Sequence, residues 1–169
     1  MKRLIIVNGT MGAGKSTLCE GLLKALPAAV YLDGDWCWRM DPFIVDEENK
    51  AMVVDHIVHL LRGFLTNSHF ENVIFCWVIH QETIFDSILK PLADLRFQLE
   101  KITLMLSPQQ LRAHFAQDAA AGLRRMEDAQ ASVDRLALYR NMDTFKLWTD
   151  GMSPEKTLQA ALCHLEANP

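Results

Sequence analysis

The sequence predicts an α/β domain of three layers, a five-stranded parallel sheet sandwiched between helices. Two observations carry this. Strand-like and helix-like segments alternate from end to end, the order expected of a parallel sheet whose crossovers are helices. Nearly all the strand candidates are continuous apolar runs rather than alternating ones, as strands covered on both faces must be.

The strands are expected near Arg3–Asn8, Ala29–Asp33, Asn72–Ile79, Lys101–Leu106 and Phe145–Thr149. The first, Leu4-Ile5-Ile6-Val7, stops at Asn8-Gly9 and is too short for a signal peptide or an anchor. A helix is expected from Ser16 to about Leu26, with Leu18, Leu22, Leu23 and Leu26 facing inward. From Glu47 to about His69 an apolar stripe of Val53, Ile57, Leu60, Leu61, Phe64 and Leu65 predicts a long helix that Asp46 would cap. From Gln81 to about Leu99 a second stripe, Ile84, Phe85, Ile88, Leu89, Leu92 and Leu95, predicts a helix bent or broken near Pro91. Ser107-Pro108 and Ser153-Pro154 each read as a cap followed by proline in the first turn. The stretch 116–140, rich in Ala, Asp and Arg, lacks strong apolar periodicity and is expected to be a solvated excursion over the sheet.

Residues 1–169 are expected to form one domain, since 169 residues with 50% hydrophobic content suffice for one ordinary core. The formal net charge of −4 disfavours nucleic acid as a partner, because phosphate binding usually leaves a basic footprint. Nowhere is there an uncharged apolar run of the roughly 20 residues that span a bilayer, so no membrane partner is expected. The four cysteines, Cys19, Cys37, Cys76 and Cys163, form no CxxC pair, and a cytoplasmic location is the default.

Gly9-Thr10-Met11-Gly12-Ala13-Gly14-Lys15-Ser16, followed by Thr17, is a complete GxxxxGK[ST] motif between a strand and a helix. A polyphosphate must be wrapped by backbone N–H groups at the positive end of a helix with no side chain in the way. Gly9, Gly12 and Gly14 supply that access, Lys15 an ammonium for the β- and γ-phosphates, and Ser16 a hydroxyl for Mg²⁺. The motif resembles the Walker A sequence of the P-loop NTPase superfamily, which implies binding of a nucleoside triphosphate, and ATP with Mg²⁺ is the expected one. No DxxG or NKxD accompanies it, so a Ras-like GTPase is not expected.

The second strand ends in Asp33-Gly34-Asp35, two carboxylates at the sheet edge where ligands of parallel sheets bind. A DxD here resembles shikimate kinase and its small-molecule kinase relatives, including gluconate kinases. That resemblance implies a P-loop kinase-like fold with a helical lid, Asp33 holding Mg²⁺ through water, and Asp35 positioning the acceptor hydroxyl as a catalytic residue. Asp-Gly is also a common turn pair, and a simple turn around Gly34 stands as the plainer reading. Asp118, Gly122, Arg124, Arg125, Arg135, Tyr139 and Arg140 run in an order that looks like the lid and flanking helices of these kinases, with Arg125 or Arg124 as the catalytic arginine. The tail from Asp143 to Glu155 resembles their last strand and loop, making Thr149, Asp150 and Gly151 candidates for the adenine pocket, although Trp148 stands where aspartate is usual.

Trp36, Trp38 and Arg39 follow the proposed base directly, and with His80 and Trp77 they are candidates for the acceptor pocket. Where shikimate kinase has a Gly-Gly-Gly turn this chain has His80-Gln81, and shikimate is not the expected acceptor. The expected function is a kinase moving the ATP γ-phosphoryl group to a hydroxyl of a small molecule, as a monomer or homodimer. A nucleoside monophosphate kinase and a non-catalytic ATP-binding regulatory module are the alternatives.

Overall fold

The computed structural model describes residues 1–167. Its element order is β1 (Arg3–Asn8), α1 (Lys15–Ala25), β2 (Ala29–Asp33), α2 (Glu47–Thr66), β3 (Asn72–Trp77), α3 (Glu82–Leu89), β4 (Gln98–Met105), α4 (Pro108–Ala120), α5 (Asp128–Tyr139), β5 (Phe145–Trp148) and α6 (Pro154–Ala167), with short 3₁₀ turns at Gly34–Trp38 and Lys90–Leu92. The five strands form one sheet in the order β2-β3-β1-β4-β5. Every pairing is parallel, Val7 lying opposite Cys76 on one side and Ile102 on the other.

Alternation along β1 divides the core between the two faces. Ile5 and Val7 join Leu18 and Leu22 of α1 with Ala161 and Leu165 of α6, whereas Leu4 and Ile6 join Val53, Ile57 and Leu61 of α2 with Phe85 and Ile88 of α3. Fully buried residues on both faces explain the unbroken apolar strands, and the layers are the three expected. The expected caps are present: Asp46 accepts from the Asn49 amide at 2.8 Å, Ser107 from Gln110 at 3.2 Å and Ser153 from Lys156 at 3.3 Å.

The larger differences from the sequence expectation lie in three places. The helix expected over 81–99 ends at Leu89, passes through the 3₁₀ turn containing Pro91, and gives way to β4 at Gln98, so Leu99 belongs to a strand. Polar Gln98 and Glu100 disguise the half-buried start of that strand. The third strand ends at Trp77 rather than Ile79, because the Ile79 amide leaves the ladder and donates to the Asn8 side chain at 2.9 Å. The segment 116–140 is not a solvated excursion throughout. It completes α4, turns at 121–127, and forms α5, whose Ala129, Ser132, Leu136 and Tyr139 are buried.

Among the described residues no helix is long and apolar enough to cross a membrane. All four cysteines are free thiols.

Candidate active site

The loop between β1 and α1 is shaped by three glycines in the positive-φ region, Gly9 at 145°, Gly12 at 81° and Gly14 at 92°. At Gly12 a second constraint applies, since a Cβ there would stand 2.7 Å from the ring of the fully buried Phe115. Around Gly14 the space is open, with nothing within 4 Å of where a side chain would start. A cradle that is tight beneath and open above is what a phosphate needs.

Asn8 ends β1 and serves as the loop's buried anchor. Its side-chain oxygen accepts from the Gly9 amide at 2.8 Å and from Ile79, tying the loop to the end of β3. Thr10 is also fully buried and donates its hydroxyl to the Ser132 carbonyl of α5 at 2.9 Å. His114 of α4 contacts the Gly12 carbonyl through Nδ1 at 2.9 Å, and Gln110 holds its other ring nitrogen. Sequence reasoning missed Asn8 and His114. A polar residue closing an apolar strand was a signal for the first, while nothing marked the second.

Lys15 is only 9% exposed and folds back to donate to the Thr10 carbonyl at 3.1 Å. Burial pulls its pKa below the ordinary lysine value, opposed by the nearby Asp35 and Asp33 carboxylates. Ser16 stands one residue on and donates to the Asp33 carboxylate at 3.1 Å, bringing together the two residues expected to share a metal. Asp33 also accepts from the Tyr31 hydroxyl and from the Asp35 amide, each at 3.0 Å. The turn reading of Asp33-Gly34-Asp35 is therefore correct as far as it goes, and the same carboxylate reaches the phosphate loop.

Asp35 sits at the start of the 3₁₀ turn, within the field of Lys15 and Arg124. Partial burial and the Asp33 charge raise its carboxyl above the ordinary value, against the lowering effects of Lys15, the Trp77 indole and Arg124. The two arginines expected in a lid separate clearly. Arg124 is half-buried, pairs with Asp118 at 2.7 Å, lies 5.7 Å over the Phe115 ring, and its charge reaches both Lys15 and Asp35. Arg125 is exposed.

The other candidates are unevenly placed. Trp36 is 55% exposed beside Asp35, its ring edge against Tyr31 at 5.4 Å, and Arg39 is exposed. Trp38 is half-buried and packs against the core cluster on the α2 side, its ring 5.9 Å from that of the exposed Phe43. His80 is half-buried with no hydrogen-bond partner at Nδ1, and burial together with Arg135 lowers its pKa. In the loop after β5, Thr149 donates to the Met105 carbonyl, and both Asp150 oxygens accept from the Ser107 amide at 3.0 Å. Thr149 and Asp150 thus have structural tasks, and Gly151 turns the chain at φ 68°.

Comparison with known proteins places this geometry. No curated protein matches the sequence. Among solved structures, a sugar kinase from Janibacter sp. HTCC2649 superposes with a TM-score of 0.72 at 14% identity, covering 98% of this chain and 95% of its own. A gluconokinase from Sinorhizobium meliloti 1021 gives 0.68 at 16%, covering 98% and 94%. A shikimate kinase from Acinetobacter baumannii, in complex with shikimate, gives 0.67 at 18%, covering 99% and 95%. At these identities the likeness speaks for the fold, a P-loop kinase-like one. The AAA domain family model matches residues 5–132, which span the cradle, both aspartates of the second-strand turn and Arg124, and the chain therefore belongs to the AAA domain family.

Proposed function

We propose that the protein is a phosphotransferase that moves the γ-phosphoryl group of ATP to a hydroxyl of a small molecule. One observation carries the reading: the glycine cradle with Lys15 and the two carboxylates of the second-strand turn meet at one sheet edge, joined by the 3.1 Å bond between Ser16 and Asp33. The solved structures support it in kind, being kinases of a sugar, of gluconate and of shikimate, with a further neighbour, the Mycobacterium tuberculosis APS kinase, in complex with AMPPNP and APS.

In this reading the amides of Gly12 to Ser16 bind the β- and γ-phosphates, and Lys15 leaves the Thr10 carbonyl to neutralise charge that builds on the transferring group. Ser16 and Asp33 would hold Mg²⁺, which as a hard cation favours hydroxyl and carboxylate oxygens and would supply charge neutralisation at the phosphates. Asp35 accepts the proton of the attacking hydroxyl as the new O–P bond forms and the bond to ADP breaks. Its raised pKa makes it a better base than an ordinary aspartate at neutral pH. Arg124, on the turn between α4 and α5, is the arginine that would stabilise the transferring group, with that turn acting as a lid. Trp36, which follows Asp35 in the chain, and Arg39 and His80 are the residues that would contact the acceptor.

A phosphorylated acceptor is disfavoured by Arg62, which is committed to Asp94 and the Pro91 carbonyl far down α2. The test is a screen of a metabolite library for ATP-dependent phosphorylation, with Asp35→Asn as the control. A phosphorylated product that the variant fails to make supports the reading. ATP binding without transfer to any compound, unchanged in the variant, overturns it in favour of a regulatory module.

A further inference from the structure

Tyr31 is the one residue of β2 before its closing aspartate that carries a polar side-chain atom, in a strand that otherwise reads Ala, Val and Leu. It is buried in the apolar cluster beneath α1, where a phenylalanine would fill nearly the same space. A buried hydroxyl is costly unless it finds a partner. This one finds two, the Asp33 carboxylate at 3.0 Å and the Cys76 thiol at 3.4 Å. The topology brings them together, since residues two apart on a strand share a face and the parallel register sets Cys76 of β3 opposite Asp33.

The direction of these bonds follows from their chemistry. An ionised carboxylate only accepts, so the Tyr31 proton goes to Asp33, and the phenolic oxygen is left to accept from the Cys76 S–H. Thiol, phenol and carboxylate thus form a one-way series that ends on Oδ2 of Asp33. The same Oδ2 accepts from the Ser16 hydroxyl at 3.1 Å, and Oδ1 accepts from the Asp35 amide at 3.0 Å. Of the two side chains that donate to Asp33, Ser16 is exposed and Tyr31 buried, so the place Ser16 takes is the one a ligand can claim. Tyr31 and the Asp35 amide hold one oxygen each from the protein side. With the amide alone, the carboxylate would regain the broad freedom about its terminal bond that aspartate ordinarily has.

We propose that Tyr31 is a positioning residue for the nucleotide's metal ion, its hydroxyl donating to Oδ2 of Asp33 so that this carboxylate meets the cation in one fixed orientation. Partners behind a ligating carboxylate orient it and tune its affinity, and their loss ordinarily costs about 10–100-fold in metal binding. Phenol suits the task because it stays protonated near neutral pH and stands on a rigid ring, which the Trp36 ring flanks edge-on at 5.4 Å between centroids. Nothing in the sequence marks the role, because in a buried strand tyrosine counts as one more apolar residue. The inference deepens the phosphotransferase reading and rests on it for the presence of the cation.

The experiment has two arms, and neither needs an acceptor. The chain has two tyrosines, so ¹³Cζ-labelled tyrosine gives two resonances, which Tyr31→Phe assigns. Asp33→Asn should move the Tyr31 resonance and leave that of Tyr139 nearly in place. An unmoved Tyr31 resonance overturns the proposal. The second arm measures Mn²⁺ binding to the ATP-saturated protein by water proton relaxation. Tyr31→Phe, which keeps the ring and removes only the hydroxyl, should weaken Mn²⁺ about tenfold while metal-free ATP binds as before. It should cost nothing further once Asp33 is Asn. A lowered melting temperature with Mn²⁺ affinity unchanged would mark a structural bond only and overturn the positioning role, as would losses that multiply in the double variant. Absence of any ternary complex of Mn²⁺, ATP and wild-type protein overturns this inference and the kinase reading together. A moved resonance and weakened Mn²⁺ in a protein that phosphorylates no compound keep the positioning role and sink the kinase reading alone.

Discussion

The phosphate loop and the turn at 121–127 lie on the same edge of the sheet, yet they are built in opposite ways. In the loop, Asn8 and Thr10 are fully buried, every turn is set by a glycine or a buried hydrogen bond, and α4 and α5 brace it through His114 and Ser132. In the turn, Leu123 is 74% exposed and Met126 50%, and the charged Arg124 is held by a single carboxylate, Asp118. One region presents a finished surface of backbone dipoles. The other presents Arg124 on a short tether, with Arg125 exposed next to it, beside apolar side chains that are in water. On the proposed reading the first is pre-organised before ligand arrives, and the second would gain its contacts on closing.

The comparison breaks most visibly at Lys15. Lys15→Ala should lower turnover by at least about a hundredfold, the scale of losing one pre-organised charge donor, while the fold survives. Steady-state phosphoryl transfer and a melting curve check both halves. Arg124→Ala should follow, with a loss of about a hundredfold in kcat and little change in Mg·ATP affinity, whereas Arg125→Ala should stay within a few-fold of wild type. Equal losses at the two arginines would erase the distinction between the tethered and the exposed one.

Gly12→Ala sharpens the contrast in stability instead of rate. Its positive φ and the buried Phe115 ring together should cost about 1–3 kcal/mol, measured by denaturant unfolding. Gly122→Ala, at φ 69° but with nothing within 4 Å of the new methyl group, should cost less, because only the backbone term applies.

The smallest effect is in pH. Asp35's carboxyl lies above the ordinary 3.8, so in the window between that value and its raised one the folded chain binds more protons than the unfolded chain. Its contribution to stability therefore falls as pH rises through that window. Activity runs the other way, since the base must be ionised, and transfer should fall on acidification at a pH above 3.8. Asp35→Asn should remove that contribution, leaving the slope set by the other carboxylates.

Much of this was legible in the sequence. The apolar run of β1, the start of β3, the cap at Asp46 and the whole of the glycine loop are local signals, set by burial on both faces and by φ, and each appears where expected. What was not legible depends on contacts distant in the chain. Nothing near Arg124 distinguishes it from Arg125; Asp118 and Phe115 do, and only once α4 has folded. Trp38 reads like Trp36 in sequence, but the core beneath α2 takes one ring and leaves the other in solvent. The burial of α5 was hidden because its inward face carries Ala129 and Ser132, small residues that close packing rewards and hydrophobic periodicity overlooks.

The central claim is that the loop from Gly9 to Ser16 grips a nucleoside triphosphate with main-chain amides and the Lys15 ammonium. Isothermal titration of the protein with Mg·ATP tests it directly. Saturable heat with one site per chain, weakened in Lys15→Ala and far weaker with Mg·AMP, is the predicted result. Absence of heat with any magnesium nucleotide, or equal affinity for AMP and ATP, would contradict it.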